Sequence, residues 1–192
     1  MTLRLLLLLA ILALNGFFAA AEVALVSVPR SKLDALAKKG NVGARAALEL
    51  LANPERLLSV TQVGVTLASL GLGWAGEETL YELFLGWMGA ITPLQSNVLH
   101  GASFTLGFLS MSFCHVIVGE VVPKNLAIDK ADRLALLAAP ALLLFHRLSS
   151  PFVFVVERTT AVVSRLLGIR GHGAGGHSAE ELKFIVESSR RE

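Results

Sequence analysis

The chain has little charge and almost no cysteine. Of its 192 residues, 17% are charged and 54% are hydrophobic, whereas a soluble domain averages about 25% charged and about 45–50% apolar. Cys114 is the single cysteine, which excludes a disulfide framework and a cysteine-based zinc site. The composition therefore indicates an all-α membrane protein embedded in the lipid bilayer, and a net charge of +2 gives no reason to expect a nucleic-acid partner.

Three long apolar runs are predicted to be transmembrane helices. They cover residues 3–28, 57–76 and 94–122, and a helix needs roughly 20 apolar residues to cross a bilayer. The first run exceeds the roughly 7–15 apolar residues of a signal peptide, so we expect it to remain uncleaved. Two later segments, 134–145 and 152–167, are apolar but broken by prolines and charges. We predict amphipathic juxtamembrane helices there, with a fourth span at 134–145 as the alternative.

Lysine and arginine are absent from residues 57–123. Six of them lie in 30–56, where two short amphipathic helices are predicted, and ten lie from Lys124 onward. The loop at 77–82 carries only acidic charges. Because cytosolic loops are rich in basic residues, we expect a multi-pass protein of the plasma membrane with its N-terminus outside and its C-terminus cytosolic.

Glu120 is the most informative ionisable residue within the apolar runs, since a charge in a membrane span is costly and commonly functional. Pro123 has no N–H, so the carbonyl of Gly119 loses its helical partner beside this carboxylate. Carboxylate and carbonyl oxygens suit a hard cation. The alternative is that Glu120 lies near the cytosolic boundary and contacts only Lys124 or water.

The first run contains a parallel interruption. Pro29 frees the carbonyl of Leu25, close to Ser27. Glu22 shares a helical face with Asn15, seven residues earlier. We expect Glu22 either to pair with a polar group on a neighbouring helix or to form a second ion or proton site.

The second run carries a face of polar or small residues, which serves either an ion or close helix packing. No recognisable nucleophile–base motif surrounds Ser110 or His115, so we do not expect an enzyme. The residues of the face follow one another at steps of four, three and four: Gln62, Thr66, Ser69 and Gly73.

Four stretches, spread along nearly the whole length of the chain, resemble the CorC/CNNM family of magnesium transporters. Residues 15–27 (NGFFAAAEVALVS), 61–74 (TQVGVTLASLGLGW) and 115–127 (HVIVGEVVPKNLA) resemble the three spans of its transmembrane domain. Residues 177–183 (HSAEELK) resemble the segment that leads into the cytosolic CBS-domain pair of that family.

The resemblance implies a homodimer that exports Mg²⁺ and is driven by Na⁺ influx. The family holds its ion between serines of the first two spans and a glutamate of the third, and these positions correspond here to Ser27, Ser69 and Glu120. The main-chain carbonyls of Gly119 and Leu25 extend this oxygen set, because Mg²⁺ takes about six oxygen ligands. The residues expected around the ion or at a sodium site are Gln62, Asn125 and Glu22.

The resemblance also predicts the domain organisation. Residues 1–170 are expected to form the transporter domain with its juxtamembrane helices, and 171–192 a linker and the start of a helix leading to a CBS-type domain outside this chain. Two other functions stay open: a membrane-anchored regulator that senses Mg²⁺ without transporting it, and a channel.

Overall fold

The computed structural model describes residues 2–91 and 96–166, and the regular structure within these ranges is entirely helical. The predicted linker and final helix at 171–192 lie outside the described residues. The helices in chain order are α1 (Thr2–Ser27), α2 (Arg30–Lys38), α3 (Val42–Leu51), α4 (Pro54–Ile91), α5 (Ser96–Val116), a π-helical turn (Ile117–Val121), α6 (Val122–Asp129) and α7 (Ala131–Leu166).

The segment after α1 folds as the sequence predicts, into two short helices. Helix α1 ends at Ser27, just before Pro29, whose ring stops a helix from continuing. Gly40 adopts a φ of 87° between α2 and α3, a conformation that favours glycine. The side chain of Asn41 then caps α3 by accepting a hydrogen bond from the N–H of Ala44 at 2.9 Å.

Helix α4 is longer than the second predicted span. It begins at Pro54 and continues through 38 residues to Ile91, so the predicted span at 57–76 and the boundary segment after it form one helix. Asn53 supports its start, because its side chain accepts a hydrogen bond from the N–H of Arg56 at 3.1 Å.

Helix α7 corrects the prediction of separate juxtamembrane helices. It continues through both Pro140 and Pro151 without a break. The predicted interruption was wrong because proline removes one helical hydrogen bond, and Pro140 lies on the exposed side while the opposite face packs into the core. The buried residues of that face follow helical spacing: Ala135, Ala138, Ala139 and Leu142.

The described part of the chain contains four helices long and apolar enough to cross a membrane, whereas the sequence analysis counted three spans. The additional candidate, Ala131–Val155, contains the segment 134–145 that the sequence offered as an alternative fourth span, and its prolines and charges fall within one continuous helix. The four segments are Thr2–Ser27, Arg56–Gly89, Asn97–Asp129 and Ala131–Val155.

The chain divides into two compact units, with the boundary between Ser150 and Pro151. In the second unit, the guanidinium of Arg158 lies 5.2 Å from the ring centroid of Phe154. The core of the first unit lies where α1 ends and α4 begins, and it joins six helices. Helix α6 contributes Ala127, and each of the other five contributes a fully buried large side chain: Leu25, Leu33, Leu50, Val60 and Leu142.

Two contacts hold the start of α7 against α2 and α3. Lys32 forms an ion pair with Asp132. Gly43 lies so close to the main-chain carbonyl of Leu136 that a Cβ atom there would collide with it. The basic stretches before α4 and after α5 therefore lie together, and we call α2, α3, α6 and the adjoining parts of α1, α4 and α7 the basic end.

The beginning of α1 lies beside the second half of α4. Arg4 pairs there with Glu82 at 3.0 Å and with Glu78 at 3.7 Å. Helices α1 and α4 are thus antiparallel. We call the first turns of α1, the second half of α4 and residues 96–110 of α5 the acidic end.

Candidate cation site

The helix interruption predicted at Pro123 is present as a π-helical turn. In this turn, Ile117–Val121, the N–H of Val122 donates to the carbonyl of Ile117, five residues earlier. Pro123 has no N–H for the carbonyl of Gly119, and the backbone widens immediately before it. Single π-helical turns of this kind occur frequently at functional sites.

The carbonyl of Gly119 bonds to a residue of another helix. Asn15 in α1 donates from Nδ2 to this carbonyl at 2.9 Å. The Oδ1 atom of the same amide accepts a hydrogen bond from the hydroxyl of Ser69 in α4, at 3.2 Å. Because Asn15 has no exposed surface, one buried amide joins two of the predicted oxygen ligands.

His115 is a second polar neighbour of Ser69. Its Nε2 atom lies 3.2 Å from the Ser69 hydroxyl oxygen. When Nε2 carries the proton, the imidazole donates to Ser69, Ser69 donates to Asn15, and Asn15 donates to Gly119. The Ser69 hydroxyl and the Gly119 carbonyl each then retain a lone pair for a cation.

Two glycines allow α1 to approach the π-helical turn this closely. A Cβ atom on Gly119 would lie 3.0 Å from the side chain of Leu12 and 3.1 Å from Nδ2 of Asn15. A Cβ atom on Gly16 would lie 2.9 Å from the ring of Pro123. Larger residues at either position would separate the amide of Asn15 from the carbonyl that it binds.

Glu120 is placed next to this cluster by the chain but is bound by a lysine. Its carboxylate accepts a hydrogen bond from Nζ of Lys124 at 2.6 Å. The side chains of Glu120 and Lys124 are 41% and 39% exposed, so an ion can reach the pair. This contact is the alternative that the sequence left open, and a divalent cation at Glu120 has to compete with the ammonium group.

Ser27 and the carbonyl of Leu25 are not brought to this cluster. Both lie in the last turn of α1, where Ser27 is exposed. At about 1.5 Å per residue, the helix separates them from the level of Asn15 by roughly 15–18 Å. The ligand set implied by the family resemblance is therefore split between two levels of α1.

The three residues expected around the ion or at a sodium site also lie apart from the cluster. Gln62 and Asn125 are exposed and Glu22 is half-buried. Within residues 2–91 and 96–166, none of the three has a side-chain hydrogen bond to Asn15, Ser69 or Gly119. Their roles stay predictions.

Asn15 is the site residue that the sequence analysis did not identify. It was noted only as a neighbour of Glu22 on one helical face, yet its partners come from α4 and the π-helical turn. The signal that could have found it is a lone amide in a helix of leucine, alanine and phenylalanine, because a buried amide requires hydrogen-bond partners.

The described ranges contain no group of three or more His, Cys, Asp or Glu side chains that could hold a metal ion. A cation at this site would therefore depend on the Ser69 hydroxyl and the Gly119 carbonyl together with the Glu120 carboxylate. That mixture suits Mg²⁺ better than Zn²⁺, which favours imidazole and thiolate ligands.

Comparison with known proteins identifies the family of this chain. Residues 5–192 match the model of the cyclin M (CNNM) transmembrane N-terminal domain. The chain is similar to the UPF0053 protein YhdT of Bacillus subtilis, with 36% identity over 181 residues, covering 93% of this chain and 39% of that protein. It is also similar to the UPF0053 protein YrkA of the same organism, with 33% identity over 190 residues, covering 98% of this chain and 44% of the relative.

A more distant similarity connects the chain to the UPF0053 inner membrane protein YfjD of Escherichia coli, with 26% identity over 179 residues, or 92% of this chain and 38% of that protein. The chain spans about two fifths of the length of these curated relatives. Together with four apolar helices of membrane length, the match over nearly the whole sequence shows that this multi-pass membrane protein belongs to the CNNM family.

Proposed function

We propose that this chain is the membrane domain of a Mg²⁺ exporter of the plasma membrane, driven by Na⁺ influx. The observation that carries the proposal is the buried amide of Asn15, which holds the Ser69 hydroxyl and the Gly119 carbonyl together beside Glu120. Hydroxyl, carbonyl and carboxylate oxygens are ligands for Mg²⁺. Helix interruptions that expose such oxygens are a recurrent feature of ion transporters.

The proposed ligands leave part of the ion's coordination shell to water. Ser69 and Gly119 supply one oxygen each, and the carboxylate of Glu120 supplies one or two. Mg²⁺ takes about six oxygen ligands and gives up its bound water reluctantly. A single carboxylate also offsets only half the charge of the ion. Incomplete coordination and incomplete neutralisation both favour release, which a transporter needs as much as binding.

Lys124 acts in this proposal as the counter-ion of the cation-free state. A carboxylate without a partner at membrane depth is costly, and the ammonium group bound at 2.6 Å neutralises Glu120. Arrival of Mg²⁺ replaces this ammonium group at the carboxylate. Ion binding is thereby coupled to movement of the Lys124 side chain.

The basic end is assigned to the cytosol, with the N-terminus outside and the C-terminus cytosolic. The support is the positive-inside rule and the contact of Lys32 with Asp132, which holds the start of α7 among the basic segments. In this orientation α7 begins on the cytosolic side, and Ala131–Val155 is proposed not to cross the membrane although it is long enough to do so. A cytosolic CBS-type domain follows residues 171–192 in the proposed full-length protein.

A homodimer is part of the proposal. Gln62 and Thr66 are exposed on α4 of the single chain, and polar side chains of membrane helices commonly face another helix. A second copy would cover this face. Gln62, with Asn125 and Glu22, is also proposed to serve Na⁺, because all three provide oxygen atoms outside the Asn15 cluster.

Binding of Mg²⁺ tests the ligand assignment. We would titrate Mg²⁺ into the purified chain in detergent by calorimetry and compare wild type with Glu120→Gln, Lys124→Met and Ser27→Ala. Glu120→Gln should weaken binding by at least about tenfold, and Lys124→Met should strengthen it by removing a competing charge. Ser27→Ala should leave the affinity unchanged, because Ser27 lies far from the cluster.

Equal affinity for wild type and Glu120→Gln would contradict the site. Loss of binding in Ser27→Ala would favour the ligand set given by the family resemblance over the one grouped by Asn15. Measurement of Mg²⁺ flux in proteoliposomes then distinguishes an exporter from a regulator, because a regulator binds Mg²⁺ without moving it. A channel would give flux that neither saturates nor depends on Na⁺.

A further inference from the structure

A cavity of about 220 Å³ between α4 and α5 leads from the candidate site towards the acidic end. Its polar lining consists of Ser69 and His115 at the inner side, with Ser112 and Glu77 beyond them. Glu77 follows Ser69 by eight residues of α4, a rise of about 12 Å. The cavity thus connects a proposed ligand with a carboxylate two helical turns away.

Glu77 also lines a second cavity, of about 420 Å³, together with Glu78, Tyr81 and Trp74. It therefore lies where the inner cavity meets a wider space at the acidic end. Glu78 pairs with Arg4, but within residues 2–91 and 96–166 no ion pair includes Glu77. Its negative charge is available to a mobile cation.

The inner cavity has the size of a hydrated Mg²⁺ ion. Six water molecules at about 30 Å³ each occupy roughly 180 Å³, which is less than the 220 Å³ available. The lining offers hydroxyls, an imidazole and one carboxylate, all of which accept hydrogen bonds from bound water. It lacks the several carboxylates that would remove the hydration shell.

We propose that the α4–α5 cavity is a second divalent-cation site, which holds the ion with its hydration shell intact and uses Glu77 for charge. This inference rests on the proposed function, since it makes the cavity the position occupied before or after the ion binds Ser69 and Glu120. The two sites differ in chemistry: protein oxygens contact the ion at Glu120, and only water contacts it at Glu77.

Hexaamminecobalt(III) distinguishes the two sites. This ion resembles hydrated Mg²⁺ in size and shape but does not exchange its ammonia ligands, so it can fill the cavity and cannot be bound directly by Glu120. We would measure its binding to the chain in detergent by calorimetry. The variants are Glu77→Gln, the cavity-filling Gly73→Leu, Glu120→Gln, and Glu82→Gln as a matched charge control.

Wild type should bind the complex, and Glu77→Gln and Gly73→Leu should each weaken it by about tenfold or more. Glu82→Gln and Glu120→Gln should bind as wild type does. The inference is overturned if wild type does not bind, if Glu77→Gln binds normally, or if Glu82→Gln loses as much as Glu77→Gln. Normal binding to Gly73→Leu would place the ion on the surface and also overturn it.

The same variants separate this inference from the proposed function. Mg²⁺ affinity that is unaffected by Glu120→Gln contradicts the proposed ligand set, whatever the cobalt complex does. Loss of cobalt binding in Glu120→Gln contradicts the second site, because both ions would then share one position. Gly73 is suitable for the filling substitution, since a Cβ atom there meets no other atom within 4 Å.

Discussion

The basic end and the acidic end of the first unit are stabilised in different ways. At the basic end, side chains from six helices form a core whose leucines are at most 2% exposed. At the acidic end, large apolar side chains point outward, with Trp74 81% exposed, Trp87 59% and Phe108 56%.

The difference shows where the chain depends on its surroundings. The basic end buries a core of its own, as a soluble domain does, although side chains such as Val42 and Leu137 stay exposed. The acidic end leaves its apolar surface for lipid or for a second copy to cover, which is how membrane helices satisfy their outward faces. The Asn15 cluster lies at the junction of the two ends.

The largest expected change in unfolding free energy comes from truncating a core leucine at the basic end, and the same truncation at the acidic end is its comparison. Leu50→Ala removes a side chain with no exposed surface at the basic end, and we expect it to lower the free energy of unfolding by about 2–5 kcal/mol. Leu109→Ala removes one that is 56% exposed in α5, and its effect should stay within about 0.5 kcal/mol. Thermal or denaturant unfolding in one detergent measures both.

Equal losses for the two leucines would show that the contrast between the ends is absent in solution. A larger loss for Leu109 would indicate that α5 is buried by a second copy in the detergent complex. In that case the effect of Leu109→Ala should depend on protein concentration, whereas the effect of Leu50→Ala should not.

Local sequence signals predicted much of the basic end. Pro29 ends α1, and the apolar spacing of residues such as Leu33 and Ala47 predicted the two short helices that follow. The same signals do not predict one continuous α7, because Pro140 and the charges near it are typical of helix breaks. Packing of its alanine face against the core decided the outcome, and a pattern read along one segment does not show which neighbours will bury it.

The candidate site shows the same limit: its local features follow from the sequence, and its contacts between helices do not. The widened turn before Pro123 follows from the missing N–H and needs only the local sequence. Asn15 lies 104 residues from the carbonyl that it binds, so its role required the arrangement of α1 against α4 and α5. The family resemblance implies that Ser27 is a ligand together with Ser69 and Glu120. Ser27 nevertheless lies about 18 Å from Asn15 along the axis of α1, at about 1.5 Å per residue.

Substitution of Asn15, at the junction between the two ends, is expected to change the free energy of unfolding by an intermediate amount. Asn15→Leu keeps the branched shape and the number of heavy atoms of the side chain but leaves the Ser69 hydroxyl and the buried Gly119 carbonyl without their shared partner. Unsatisfied buried groups cost about 1–3 kcal/mol, so unfolding in detergent should become easier by that amount. Mg²⁺ affinity should fall more than Ca²⁺ affinity, because Mg²⁺ demands fixed ligand geometry and Ca²⁺ tolerates variation.

Thr61→Val is the matched control for this substitution. Thr61 is fully buried in the same helix as Ser69, but within residues 2–91 and 96–166 its hydroxyl bonds only to carbonyls of its own helix, those of Leu57 and Leu58 at 3.1 Å. Its replacement should leave ion binding unchanged. If Asn15→Leu lowers the affinities for Mg²⁺ and Ca²⁺ equally, then Asn15 stabilises the fold without positioning ligands.

The smallest effect is expected from the ion pairs at the two ends. Lys32 with Asp132 and Arg4 with Glu82 have side chains that are about half exposed, and such pairs contribute roughly 0.2–1 kcal/mol. Double-mutant cycles to alanine in low and high salt should give similar small coupling energies at both ends, and salt should reduce both. A coupling well above this range at Lys32 alone would mean that charge, rather than the buried core, holds α7 at the basic end.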